Sequence, residues 1–245
     1  MQKERLQKVI AQSGLTSRRK AERLIVEGRV KVNDQLVTTL GTKVSPNDEI
    51  TVDGIPIEQE RHVYYVLHKP RKVISSVKDD RGRKTVIDLL PDVKERIFPI
   101  GRLDYDSSGV LLLTNDGEFA HLLMHPKHEI EKVYIVNIKG IPSNVELMKL
   151  KEGIRDREDL LKVKSYQVIS IVRKEQTMTL ELSLVEGKNR HIRRMMEALG
   201  YPVLTLKRKK YGIVTLHKLL PGQARRLTSR EINELKMLAT KNVKH

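Results

Sequence analysis

Apolar residues in this 245-residue chain come in runs of strand length, and those runs are not regularly interleaved with helical ones. Such an order does not suit repeated βαβ units. It predicts an α+β protein whose sheet is mixed and mainly antiparallel, with flanking helices. The longest candidate run, residues 110–113 with its neighbours, falls far short of the roughly 18–20 apolar residues of a membrane span. Apolar residues still make up 39% of the chain, enough for a real core, and the mean hydropathy of −0.42 points to a soluble protein. Cysteine is absent, which excludes disulfides, thiolate catalysis and Cys-based zinc sites. The first residues, MQKERLQKVIAQSG, lack the apolar core of a signal peptide, so the cytoplasm is the expected location.

Charge narrows the partner. Lys and Arg total 47 against 31 Asp and Glu, a formal net charge of +16. The surplus is concentrated: residues 1–31 hold nine basic and three acidic residues, and residues 188–226 hold eleven basic residues against Glu197 alone. A polyanion suits such a distribution, because each neutralised phosphate releases condensed counterions. An anionic membrane surface suits it less, since the chain has no Trp and two Phe to insert beside the charge.

The amino-terminal stretch reads as a separate unit. Leu6, Val9 and Ile10 share a helical face that Gly14 ends. Thr16 or Ser17 can cap a second helix with apolar Ala21, Leu24 and Ile25, and Gly28 supplies a left-handed exit. Arg18, Arg19, Lys20 and Arg23 lie between those apolar positions and are expected to project as a cationic ridge. Val30, Val32, Leu36 and Val37 alternate around Asn33-Asp34 as in a hairpin, with a strand over 49–52. The charged run 58–62 reads as a linker, which gives domains 1–60 and 63–245. The string SGLTSRRKAERLIVEGRVKVNDQLV resembles the S4-type RNA-binding module of a small-subunit ribosomal protein.

In the larger domain, strands are expected over 63–67, 97–100, 110–114 and 133–138, and as an antiparallel pair over 163–172 and 178–185. Lys69-Pro70 stops the first of them, since Pro cannot continue a ladder. Helices are expected over 117–124, after a capping box of Ser143 and Glu146, and after Thr228 with Glu231. Asn189 is expected to cap a further helix with core residues Ile192, Met195, Met196 and Leu199, closed at Gly200. Arg193 then falls at the edge of that apolar stripe.

The loop Gly101-Arg102-Leu103-Asp104-Tyr105-Asp106-Ser107-Ser108-Gly109 joins two apolar strands and so holds a carboxylate at a strand end beside an arginine. Loop chemistry alone equally allows an Asx-turn in which Asp104 bonds its own backbone. The wider string FPIGRLDYDSSGVLLLTNDGEFAHLLMHP resembles the hallmark of the pseudouridine synthase family that bears the S4-type module, and the likeness extends to about residue 227. The resemblance implies that Asp104, the Asp of the GRLD string, is the catalytic residue. It implies that Tyr134, in Glu131-Lys132-Val133-Tyr134, lies against the target base, although a strand tyrosine can equally pack a core. In Glu186-Gly187-Lys188-Asn189-Arg190-His191-Ile192-Arg193-Arg194-Met195, alignment of the His-Ile-Arg core makes Arg193 the partner of Asp104, with Arg194 the fallback; Arg190 also reads as a solvated, RNA-facing cation. Leu204 takes the place of an apolar residue under the uracil, and Arg102 would hold the RNA backbone or fill the vacated stack. Lys69-Pro70 matches an early motif among the RNA-contacting residues, but Lys72 stands where that motif usually has Gly. The strings RGRKTVIDLLP and DGEFAHLLMHP resemble the branch that acts on large-subunit ribosomal RNA.

Other chemistries fit poorly. His121, His125 and His128 mimic metal spacing but no acidic residue completes a zinc pattern, and nucleotide-cradling Gly loops are missing. Asp104 and Asp106, two apart on a loop, give no glycosidase-type separation. No cofactor and no metal is expected. The expected partner is ribosomal RNA or a pre-ribosomal particle, bound by a monomer, with a small-subunit target or a non-enzymatic RNA-binding role as alternatives.

Overall fold

The computed structural model describes residues 3–241. The chain forms two compact units, the first running to Val63 and taking in 92–97 and 115–117, the second made of 64–91, 98–114 and 118 onward.

The first unit contains β1 (Glu4–Arg5), α1 (Leu6–Gln12), α2 (Arg18–Val26), β2 (Val30–Val32), β3 (Gln35–Leu36), β4 (Lys43–Val44), β5 (Ile50–Val52) and β6 (Ile55–Pro56). Ser17 caps α2 by accepting from the Lys20 N–H at 3.3 Å. Asn33 and Asp34 both take positive φ, 49° and 63°, as the turn of a two-residue hairpin demands. Leu6, Ile10, Ala21, Ile25 and Val30 are buried together with the strand valines and Ile50. That burial fixes the rotation of α2, so Arg18, Arg19, Lys20 and Arg23 are all exposed.

The second unit is built on a nine-stranded sheet. Its strands are β7 (Tyr64–Lys69), β8 (Phe98–Ile100), β9 (Ser107–Thr114), β10 (Lys132–Lys139), β13 (Ser165–Val172), β14 (Thr177–Leu184), β15 (Val203–Tyr211), β16 (Val214–Thr215) and β17 (Ala224–Arg226). The order is β13-β14-β10-β15-β9-β7-β17, with β16 beside β15 and β8 beside β9. Every pairing is antiparallel except β9 with β15, where Ser107, Ser108 and Gly109 face Leu206, Lys207 and Arg208 in parallel. A small hairpin of β11 (Ile154–Asp156) and β12 (Asp159–Leu161) stands apart from the sheet. Helices α3 (Gly117–Met124) and α6 (Ser229–Lys241) pack with β7, β8 and β9, while α4 (Asn144–Glu152) and α5 (His191–Ala198) pack with β10, β14 and β15. The sheet therefore carries two apolar cores, one centred on β7, β8 and β9 and reaching Tyr211 and Val214 across the parallel seam, the other on β10, β14 and β15.

Three local features depart from simple spacing. The residue before α5 is Arg190, not Asn189; it adopts a left-handed φ of 47° and makes no side-chain cap bond. Ile192, Met195 and Met196 are nevertheless buried as the apolar spacing requires. Lys72 adopts a φ of 62°, the conformation for which glycine is ordinarily chosen, and donates its N–H to Tyr105 O at 2.7 Å. Lys72→Gly is expected to relieve the left-handed backbone while loosening the unfolded chain. The two effects nearly cancel, so urea denaturation should show a change below about 1 kcal/mol. Third, β15 slips its register against β10 at two points, passing from Val203 to Thr205 and from Arg208 to Lys210. Leu204 and Lys209 are thus bulged residues, and a bulge breaks the in–out alternation of its strand.

Candidate active site

The GRLD loop is tied from beneath. Lys69, at the end of β7, is fully buried and donates from Nζ to the carbonyls of Pro70 (3.0 Å), Asp104 (3.1 Å) and Ser107 (2.9 Å). Burial pushes its ammonium down to about 8, with Asp104 opposing that shift. Lys69 is therefore an internal strut and not an RNA contact: all three of its donors are spent on backbone carbonyls. Ser75 clamps the same loop, its hydroxyl donating to Leu103 O at 2.8 Å and accepting from Leu103 N at 3.1 Å. The Asp104 carbonyl also accepts from Ser107 N at 3.0 Å. Backbone bonds thus close the turn, and the Asp104 carboxylate is left to face cations instead of forming an Asx-turn.

Those cations come from α5 and its cap. Arg193 Nε lies 3.7 Å from Asp104 Oδ2, and Arg190 Nη1 lies 4.0 Å from the same oxygen. The Arg193 side chain is 10% exposed and its guanidinium also donates to Val203 O and Asp106 O, each at 3.4 Å. Burial pulls the Arg193 guanidinium down from its ordinary value, and Asp104 opposes the shift. Arg194 turns away, pairing with Asp156 and Asp159 on the β11–β12 hairpin, so the fallback is not realised. Arg190, at 45% side-chain exposure, is both a rim cation and a second neighbour of Asp104.

Asp104, Tyr134, Arg190 and Arg102 line one cavity of about 930 Å³. The apolar residue that β15 sends into it is Leu206 and not Leu204, which is 44% exposed. The bulge accounts for this, since it takes Leu204 out of the ladder while Leu206 stays paired with Val136. The cavity also holds two cations that sequence reasoning did not single out, Lys132 and Arg208. Arg208 sits in the string Lys207-Arg208-Lys209-Lys210, which reads as a uniformly solvated basic run, yet it is 3% exposed. Among the described residues no group of three or more His, Cys, Asp or Glu side chains could hold a metal.

The sequence profile described as RNA pseudouridylate synthase matches residues 63–198, and that of the S4 domain matches residues 4–50. The chain belongs to the RNA pseudouridylate synthase family. The synthase is 52% identical to the ribosomal large subunit pseudouridine synthase B of Bacillus subtilis (strain 168) over 236 residues, covering 96% of this chain and 97% of that one. It is 41% identical to an RNA pseudouridine synthase of Aquifex aeolicus (strain VF5), over 96% of this chain and 94% of the other. A crystal structure of a pseudouridylate synthase superposes with a TM-score of 0.64 at 30% identity, covering 94% of this chain and 99% of that chain. The synthase is thus an α+β enzyme with an S4 domain ahead of its catalytic fold, and the GRLD loop and Arg193 both lie within the matched family region.

Proposed function

We propose that this synthase converts a uridine of large-subunit ribosomal RNA to pseudouridine, with Asp104 as the catalytic carboxylate. One observation carries the assignment of the site: Asp104 lines a cavity with Tyr134 while Arg193 is held against it by independent backbone contacts. The reaction breaks a C–N glycosidic bond, turns the uracil and rejoins it through carbon. It needs one carboxylate, as nucleophile or as base, and no redox partner. The uridine must leave its stack, at a cost of a few kcal/mol that phosphate contacts and stacking on Tyr134 offset. The likeness to the Bacillus subtilis enzyme supports the large subunit as substrate. We place the protein in the cytoplasm as a monomer acting on RNA or an assembling particle. Among the described residues no helix is long and apolar enough to cross a membrane.

The test is chemical mapping of pseudouridine in both bacterial ribosomal RNAs after incubation with the purified protein. Modification confined to the large-subunit RNA is expected. Modification of the small-subunit RNA would overturn the substrate, and binding without any pseudouridine would overturn the enzyme.

The amino-terminal ridge is proposed to grip phosphates. Replacing Arg18, Arg19, Lys20 and Arg23 together with Ala is expected to weaken RNA binding and to flatten its dependence on log salt. Each lost phosphate contact removes about 0.7–0.9 from the slope. Fluorescence anisotropy between low and moderate salt reads this directly, and an unchanged slope would mean that the ridge does not touch RNA.

A further inference from the structure

Two charged side chains at the back of the cavity play no part in holding Asp104. Lys132 lies on β10 and Arg208 on β15, and both flank the buried ring of Tyr211. Lys132 Nζ is 5.4 Å from the ring centroid and the Arg208 guanidinium carbon 5.2 Å. Lys132 donates to Val185 O at 3.0 Å. Arg208 donates from Nε to Val110 O at 2.7 Å, and its Nη1 lies 3.5 Å from the Tyr134 hydroxyl. Its other terminal nitrogen, Nη2, is buried without a hydrogen-bond partner among the described residues. The bulge at Lys209 is what turns both Arg208 and Tyr211 inward, three residues apart on one strand.

A buried donor without a partner is costly, and two neighbouring cations repel each other. The arrangement is explained if the cavity takes a ligand that carries negative charge deep inside it. We propose that Lys132 and Arg208 form a cationic floor that holds the oxygens of the detached pyrimidine while it bears negative charge. This rests on the reading of the cavity as the uridine pocket.

The chemistry requires such a stage. The C1′–N1 bond breaks with its electron pair passing to N1, and the resulting uracil anion spreads that charge onto O2 and O4. Electron-poor C1′ is satisfied by bonding to the Asp104 carboxylate or by passing its C2′ proton to it. When C5 supplies the pair for the new C1′–C5 bond, the Asp104 bond or proton is returned. The proton released from C5 ends on N1, so the product is an isomer of the substrate. Donors fixed in a dry pocket before the charge develops stabilise it more than water does. A neutral bound uridine gains less from the same floor than the anion, which is the condition for raising a rate instead of an affinity.

Burial pushes the Lys132 ammonium down to about 8, and the charge of Arg208 adds to the shift. The other titratable groups nearby are Tyr134 on its own strand, Glu131 just before it, and Lys210 and Tyr211 on β15; Glu186, Lys188, Arg190 and His191 border the cavity after β14, and Lys69 under the GRLD loop is lowered to the same range. Raising the pH through about 8 therefore discharges Lys132 and should lower the rate.

Single-turnover pseudouridine formation on a large-subunit ribosomal RNA transcript, at saturating RNA and across pH 6.5–9 (roughly one unit or more either side of the Lys132 value), tests the floor. Lys132→Met is expected to lose about 100-fold in rate constant with RNA affinity within threefold of wild type. Lys132→Arg is expected to stay within tenfold of wild type and to show a shallower fall in rate above pH 8, keeping only the part that the buried Lys69 contributes. Superimposable pH profiles for wild type and Lys132→Arg would overturn the proposal even if Lys132→Met failed to fold. Weaker RNA binding with a lower salt slope and an unchanged saturated rate would place a phosphate on the floor and overturn it as well. A wild-type protein that forms no pseudouridine would instead defeat the functional reading on which the floor rests.

Discussion

Asp104→Asn is expected to leave no detectable pseudouridine while RNA affinity shifts by less than about 1.4 kcal/mol, one tenfold step. Arg193→Ala is expected to match it. The carboxamide keeps the size of the side chain and removes both the nucleophilic oxygen and the base, so its effect isolates chemistry from packing. Arg193 acts through placement. Its guanidinium is pinned by Val203 O and Asp106 O and so occupies its position independently of Asp104. At 3.7 Å the ion pair is loose, as catalytic contacts often are before substrate arrives. Removing the cation leaves a carboxylate, 29% exposed, with only the solvent-facing Arg190 to orient it. Arg193→Lys should recover little, because a point charge cannot bridge Asp104 and two carbonyls as a planar fork does. Arg190→Ala should fall mainly on RNA binding, with the saturated rate within about tenfold, since an exposed pair is worth about 1 kcal/mol at most. Single-turnover rates at saturating RNA decide the matter. An Arg193→Ala protein reacting near the wild-type rate would show that the pair is dispensable.

The second large effect is structural. Gly109→Ala is expected to destabilise the catalytic unit by about 3 kcal/mol or more, the sum of left-handed backbone strain and overpacking. Gly109 has a φ of 116°, and a Cβ there would stand 2.2 Å from Arg208 O and 2.6 Å from Arg208 N. Both are backbone atoms of the facing strand and cannot swing aside. The methyl group would open the parallel seam at the residue that also carries the cationic floor. Gly101→Ala is the control: its φ is 72° but nothing lies within 4 Å of the added carbon, so only the backbone term of about 1–2 kcal/mol applies. Chemical denaturation of the two variants separates the terms, and equal losses would mean that the seam tolerates the methyl.

Legibility in the sequence tracked how local each determinant is. The caps at Ser17, Ser143 and Thr228 and the Asn33-Asp34 turn depend on residues a few positions apart, and all are present. The pairing of Asp104 with Arg193 is implied by the family resemblance of the His-Ile-Arg motif, and the place of Arg193 at the edge of an apolar stripe agrees with it. What stayed hidden was set across the sheet. Lys69 reads as a strand's polar end, and only the loop folded over it makes it internal. Leu204 is implied by resemblance as the apolar residue under the base, but a bulge against β10 takes it out of the ladder and leaves Leu206 facing the cavity. Arg194 could be told from Arg193 only once the β11–β12 hairpin supplied Asp156 and Asp159. Arg208 lay concealed in a basic run because charge alone does not reveal which way a strand residue points.

The single parallel seam also dictates an order of events. Its two strands pair across about 100 residues of chain, whereas β13–β14 and β11–β12 close through short turns, and distant pairings form slowly. Asp104 belongs to the side of the sheet built on β7, β8 and β9, and Arg193 and Tyr134 to the side built on β10, β14 and β15, each with its own apolar core. Neither side alone brings Asp104 and Arg193 together. During synthesis the amino-terminal unit is complete once residue 117 has emerged, while the seam must wait for Leu206 and its neighbours. A nascent chain thus carries the cationic ridge of α2 before Asp104 and Arg193 can meet, since the two come together with the closing of three residue pairs of the seam.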